Sequence, residues 1–189
     1  MGLSRTLKAQ NTMTMIDTRT ISRAADAARI AASAVGRTFL LGDHTALCLA
    51  DAATTGGAFS MFDVTVEPGG GTPLHVHANE DETFYIVAGR FAFTEAGRTV
   101  IATPGKCIFA ARGRRHRWQN VGDTSGRMIV LASPGGFERF FGALERCLKT
   151  GAASGVDIRW EPLLAANAVM AQFGIETLRT EGLLPCLKG

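Results

Sequence analysis

The stretch Gly69-Gly70-Gly71-Thr72-Pro73-Leu74-His75-Val76-His77-Ala78-Asn79-Glu80-Asp81-Glu82-Thr83-Phe84-Tyr85-Ile86-Val87-Ala88-Gly89 carries the most information in this chain. A glycine- and proline-rich turn leads into His75-Val76-His77. Side chains two residues apart on a strand share a face, so both imidazoles can reach one ion. The polar break Ala78 to Asp81 leads to Glu82, which shares a face with Phe84 and Ile86 on the following strand. Glu80 and Asp81 compete with Glu82 for the carboxylate role.

Outward from this stretch, short apolar runs alternate with Gly, Pro and Asp. They cover 46–50, 58–66, 83–88, 90–94, 99–102, 106–110, 117–121 and 127–132, which is about eight strands at close spacing. The 22 glycines and the 20% of charged residues suit an all-β architecture with many tight turns. Past Pro134 the period changes: Phe137, Phe140, Phe141, Leu144 and Leu148 recur at helical spacing and predict an amphipathic helix. A second helix is expected from Pro162 to before Gly174. The alanine-rich segment 21–35 predicts a short helix ended by Gly36. The resulting division is an arm and helix over 1–37, a β-barrel over 38–133 and a helical extension over 134–189 packed on the barrel.

Composition narrows the function. A net charge of +3 and one short basic run, Arg112, Arg114, Arg115 and Arg117, argue against nucleic acid. That run is expected to face water. Cys48, Cys107, Cys147 and Cys186 form no CxxC pair, so neither a zinc ribbon nor a disulfide framework is indicated. Cys107 is expected to be buried on a strand, and His44 to be solvated in a turn. No apolar run approaches the roughly 20 residues of a membrane span, and no secretory signal is evident, so a cytoplasmic protein is the expectation.

Whether His116 meets the other two histidines cannot be decided by counting strands. Here the chain resembles the cupins. Gly69 to Gly89 matches their first motif in full: Gly69, five residues, His75-Val76-His77, four residues, Glu82, six residues, Gly89. Gly105 to Asn120 resembles the second: Gly105, five residues, Ala111 where proline is usual, Arg112, Gly113, two residues, His116, three residues, Asn120. The resemblance covers about Thr38 to Ser133. It implies a mainly β, double-stranded β-helix with one divalent ion held by His75, His77, Glu82 and His116.

Three imidazoles and a carboxylate leave an octahedral ion two open positions, unlike a closed structural zinc site. Iron, manganese or nickel suits dioxygen chemistry, and cobalt, copper or zinc also fits these donors. The tail Ser133 to Phe141 resembles the small single-barrel cupins similar to quercetin 2,3-dioxygenase. That resemblance implies dioxygenation of an enolic or phenolic, flavonol- or catechol-like substrate, with Glu82 as base, and a homodimer. A metal-dependent isomerase, cyclase or decarboxylase that uses no dioxygen is the alternative, and a non-catalytic small-molecule binder a further one. Phe62, Phe84, Ile86, Phe93, Phe109, Trp118 and Met128 are the expected pocket lining.

Overall fold

The computed structural model describes residues 36–153 and 162–178. The arm and the helix expected before residue 36 lie outside them. In chain order the elements are β1 (Thr38–Leu40), β2 (His44–Ala50), α1 (Ala52–Thr55), β3 (Ser60–Val66), β4 (His75–His77), β5 (Asp81–Ala88), β6 (Phe91–Glu95) and β7 (Arg98–Ala102). There follow β8 (Cys107–Ala110), β9 (His116–Asn120), β10 (Gly126–Ser133), α2 (Phe137–Ala153), α3 (Pro162–Gln172) and β11 (Ile175–Thr177). One antiparallel sheet has the order β1-β2-β3-β10-β5-β8 and the other β11-β4-β9-β6-β7. Among the described residues no hydrogen-bonded ladder joins the two sheets. They form a double-stranded β-helix, the expected mainly β architecture.

Alternation along the strands builds the interior. Phe62, Val64 and Val66 of β3, Phe84 and Ile86 of β5, and Met128 and Val130 of β10 are buried, while their neighbours in sequence face outward. The turn between β5 and β6 requires Gly89, whose φ is +87° and where an added Cβ would stand 2.7 Å from the Cα of Gly126. Gly174 ends the α3 turn at φ +72°, and its Cβ would stand 2.6 Å from Asn79 Nδ2. The chain then adds β11 to the edge beside β4, with Ile175 opposite His77. The periodicity after Pro162 had suggested only a helix, because a strand of three residues is too short to show alternation.

Helix α2 sits on the barrel through aromatic rings. Phe62 lies 4.7 Å from Phe141 and 6.3 Å from Phe137, and Phe39 lies 5.9 Å from Phe141. The start of the helix is tied to β3 by the fully buried Ser60, whose Oγ donates to Glu138 Oε2 at 2.6 Å and accepts the Gly136 N–H at 2.9 Å. Glu138 stands in the first turn, where a negative charge complements the helix dipole.

Further along α2, the buried Glu145 accepts the Leu40 N–H of β1 at 3.1 Å and pairs with Arg37 and with Lys149. The Leu40 N–H, then the side chains of Lys149 and Arg37, hold its carboxyl down at about 2 against the opposing effect of burial. A carboxylate depressed in the folded state stabilises fully above the ordinary carboxylate range. That stabilisation is lost as pH falls towards about 2. Glu145→Ala is therefore expected to cost about 1–2 kcal/mol at pH 7, because it orphans the Leu40 N–H, while the half-exposed Arg37 and Lys149 are rehydrated. The difference from the parent chain should shrink below pH 4 in urea titrations.

Two expectations from the sequence need correction. Cys107 is exposed, as is Phe109 two residues on, by 61%, and only the Cys107 expectation fails by this. In β8 it is Ala110 that turns inward, opposite Glu82, and alternation sends 107 and 109 out. His44 is not simply solvated: its Nδ1 lies 2.6 Å from Asp43 Oδ1 and its ring meets the edge of Trp118 at 5.5 Å. Asp43 in turn accepts the Gly71 N–H, tying this corner to the turn that leads to His75.

Candidate metal centre

Three strands bring four side chains together. His75 and His77 leave β4 on its buried face, and His116 at the start of β9 is the ladder partner of His75. Glu82 comes from the opposing sheet, near the start of β5, and is 5% exposed. The ring centres of His75 lie 4.8 Å from His77 and 4.5 Å from His116. Glu82 Oε2 stands 3.0 Å from His116 Nε2 and 3.2 Å from His77 Nε2. One donor atom from each residue falls within 4.8 Å of all the others, and among the described residues this is the one such cluster.

The imidazoles are aimed by what surrounds them. His75 Nδ1 donates to Pro73 O at 2.8 Å and His116 Nδ1 to Arg114 O at 3.1 Å, so each directs Nε2 inward. His77 Nδ1 faces Glu80 Oε2 at 3.4 Å, which gives Glu80 an orienting role that its spacing did not reveal. Asp81 turns outward to Arg112, at 2.7 Å from its Nη2. The turn that lacks the usual proline at Ala111 is closed by three other bonds. Gly113 N–H donates to His77 O, Arg114 N–H to Ala111 O, and Arg112 N–H to Asp81.

A divalent ion fits these residues on one observation above all. His77 Nε2 is buried and has no hydrogen-bond partner, although Glu82 Oε2 stands 3.2 Å away. Among the described residues it is the one buried side-chain nitrogen or oxygen so placed. An orphaned imidazole nitrogen facing a buried carboxylate and two further imidazoles is costly without a cation between them.

The electrostatics agree. Burial, and then repulsion from His116, push His75 down to about 4. His77 is also penalised by burial, yet the charge of the Glu82 carboxylate beside it and the contact of its Nδ1 with Glu80 raise it to about 9. Glu82 is held far below the usual carboxylate range: burial would raise it, but His77, His116 and His75 outweigh that. At neutral pH the metal-free cluster thus holds a proton on His77. Ligation needs the neutral ring, so binding divalent nickel should release about one proton at pH 7. Affinity should then rise about tenfold per pH unit and level off above about 9. Calorimetric titration in buffers of different ionisation enthalpy measures that release directly.

Of the expected pocket residues, Phe93 and Phe109 line a cleft of about 360 Å³ that reaches His116. Phe62, Phe84, Ile86, Trp118 and Met128 are not part of its lining and are buried in the core instead. Trp118 packs on Phe91 and His44, and Phe84 stands behind Phe93 at 5.1 Å. Alternation identified these side chains as inward-facing but could not show which of them border open space. Phe137, whose ring lies 5.4 Å from His77, was missed as a neighbour of the site, since helical periodicity marks it only as core. Arg112 and Arg114 of the basic run pair with Asp81 and Glu95 at the surface.

Residues 62–132 match the family model described as cupin domain. A tetracenomycin polyketide synthase protein, TcmJ, of Streptomyces glaucescens is 27% identical over 110 residues, 58% of this chain and 74% of that protein. An oxalate-binding protein of Thermotoga maritima is 35% identical over 64 residues, 34% of this chain and about half of that protein's length (53%). Among solved structures, KdgF from Halomonas sp. superposes with a TM-score of 0.49 at 18% identity, over 55% of this chain and 92% of that one. No helix among the described residues is long and apolar enough to cross a membrane. All four clustered residues lie within the stretch 62–132 that matches the cupin domain model.

Proposed function

We propose that this protein is a metal-dependent enzyme acting on a small enolic or phenolic substrate, with dioxygen as co-substrate. The observation that carries this reading is the donor set. Three imidazoles and one carboxylate converge, and no further His, Cys, Asp or Glu joins them among the described residues. Such a set leaves a six-coordinate ion, with iron, manganese or nickel favoured, two positions for exogenous oxygen donors. When bound, the ion would supply a Lewis acid that lowers the pKa of an enol or phenol hydroxyl.

The chain's own residues do the rest. Glu82, anionic and 5% exposed, is placed to accept that hydroxyl proton. The Nδ1 bonds to Pro73 O and Arg114 O keep His75 and His116 from rotating away. Phe137 beside His77 and Phe84 beyond His116 keep water from the buried side of the cluster.

A second reading, in which the same site moves a proton in a cyclisation, isomerisation or decarboxylation without dioxygen, is favoured by the identity with the polyketide synthase protein. An oxygen electrode separates them. Metal-loaded protein given flavonols, catechols and enolisable diketones is expected to consume dioxygen in step with substrate loss, and Glu82→Gln to slow this at least about a hundredfold. Equal conversion without air would eliminate dioxygenation and leave the second reading. Binding without conversion of any kind would leave a non-catalytic binder.

A further inference from the structure

We infer that the substrate is an elongated, flat, apolar molecule with an anionic group at the end remote from its reacting oxygen, and that it enters between β7 and β8. This rests on the metal-dependent enzyme proposed above and names its substrate class. β7 and β8 are edge strands of different sheets, so no ladder closes the barrel on that side. The cleft of about 360 Å³ lies there, at the lower end of the range of small-molecule sites. Of the four clustered residues, His116 is the one that lines it. From this cleft the substrate's oxygen reaches the centre beside His116.

The walls define the body of the ligand. Phe93, Ile108 and Ala110 form the inner part, and Val100 and Phe109 the outer. Val100 is 54% exposed and Phe109 61%, so two large apolar side chains stand in water at one rim. Apolar surface gathered at a cleft mouth marks a contact site, whereas isolated exposed apolar residues do not. A dianion the size of oxalate would leave these side chains without a role. An aromatic or conjugated skeleton would cover them.

The rim defines the far end. Arg98, Arg114 and Glu95 line the outer cleft, so two guanidiniums face one carboxylate. Arg114 Nε is bound to Glu95 Oε1 at 2.6 Å, which leaves the charge of Arg98 in excess. Glu95 and Arg98 are ladder partners on β6 and β7. A carboxylate or phenolate leaving the apolar walls meets this charge before it reaches bulk water.

The test is equilibrium binding of three probes to the full, nickel-loaded chain: 6-hydroxy-2-naphthoate, 2-naphthol and oxalate. The naphthoate is expected to bind best and oxalate worst. Phe109→Ala should weaken both naphthalenes about five- to tenfold. Arg98→Gln should weaken the naphthoate about two- to fivefold and reduce the salt dependence of its binding, with 2-naphthol unchanged. Both side chains are on the surface, so both variants fold. Tighter binding of oxalate, or naphthoate binding indifferent to both substitutions, overturns the inference. Nickel binding without binding of either naphthalene also overturns it and leaves the metal centre intact. Naphthoate binding to metal-free protein with the same dependence on Phe109 and Arg98 supports the cleft and counts against the metal-centred reading.

Discussion

His116→Ala is expected to lower affinity for a divalent ion at least about a hundredfold, because even losing a residue that merely orients a ligand costs roughly ten- to a hundredfold. His116 supplies the nitrogen 3.0 Å from Glu82 Oε2 and aligns with His75 across the ladder between β4 and β9. The loss has a thermodynamic signature. At an ion concentration about a thousand times its dissociation constant, the parent chain gains about 4 kcal/mol on metal addition. A hundredfold weaker variant gains about 1.4 kcal/mol at the same concentration. Urea unfolding with and without nickel reads both values, and the metal-free curves show whether the variant itself is folded. A gain unchanged by the substitution would remove His116 from the ligand set.

The largest purely structural effect is expected for Phe62→Ala, at about 3–5 kcal/mol. Phe62 is fully buried and meets the rings of Phe39, Phe137 and Phe141, so the cavity it leaves cannot be filled by one neighbour relaxing. Such a loss is a large share of the roughly 5–15 kcal/mol that holds a domain folded. It also reaches the site. Phe137 packs on Phe62 at one side and on His77 at the other, so loosening the first contact frees the ring that backs the second. The variant should show a lower unfolding midpoint in urea and weaker nickel binding. Phe109→Ala, on the outer face of β8, should shift the midpoint by less than about 0.5 kcal/mol.

What could be read in advance follows from the range of the physics. Strand alternation acts between neighbours, so the segments from 44–50 to 126–133 emerge within about two residues of their expected ends. Helix α2 was equally legible, since five apolar residues keep its period, and Pro162 marked the start of α3. The short strands β1 and β11 were not legible, because three residues carry no period and their pairing depends on a distant partner.

The site divides along the same line. His75 and His77 share a face by strand geometry alone. Bringing His116 and Glu82 to them depends on strands from two sheets, which only the motif register anticipated. Glu80, weighed beside Glu82 for the carboxylate, faces Nδ1 of His77, and the sequence shows a carboxylate three residues after His77 but not which ring nitrogen it faces. Phe109, expected in the pocket lining, borders the cleft from its exposed outer part, because Ala110 is the residue of β8 that stands opposite Glu82.

One ion lying among four side chains underlies the proposed chemistry. Crystals of the chain loaded with nickel, measured at the nickel absorption edge, locate that ion without reference to activity. One anomalous peak per chain is expected, within bonding distance of His75, His77 and His116 through Nε2 and of a Glu82 oxygen. A peak elsewhere, or none at these residues in protein shown by elemental analysis to hold nickel, would contradict it.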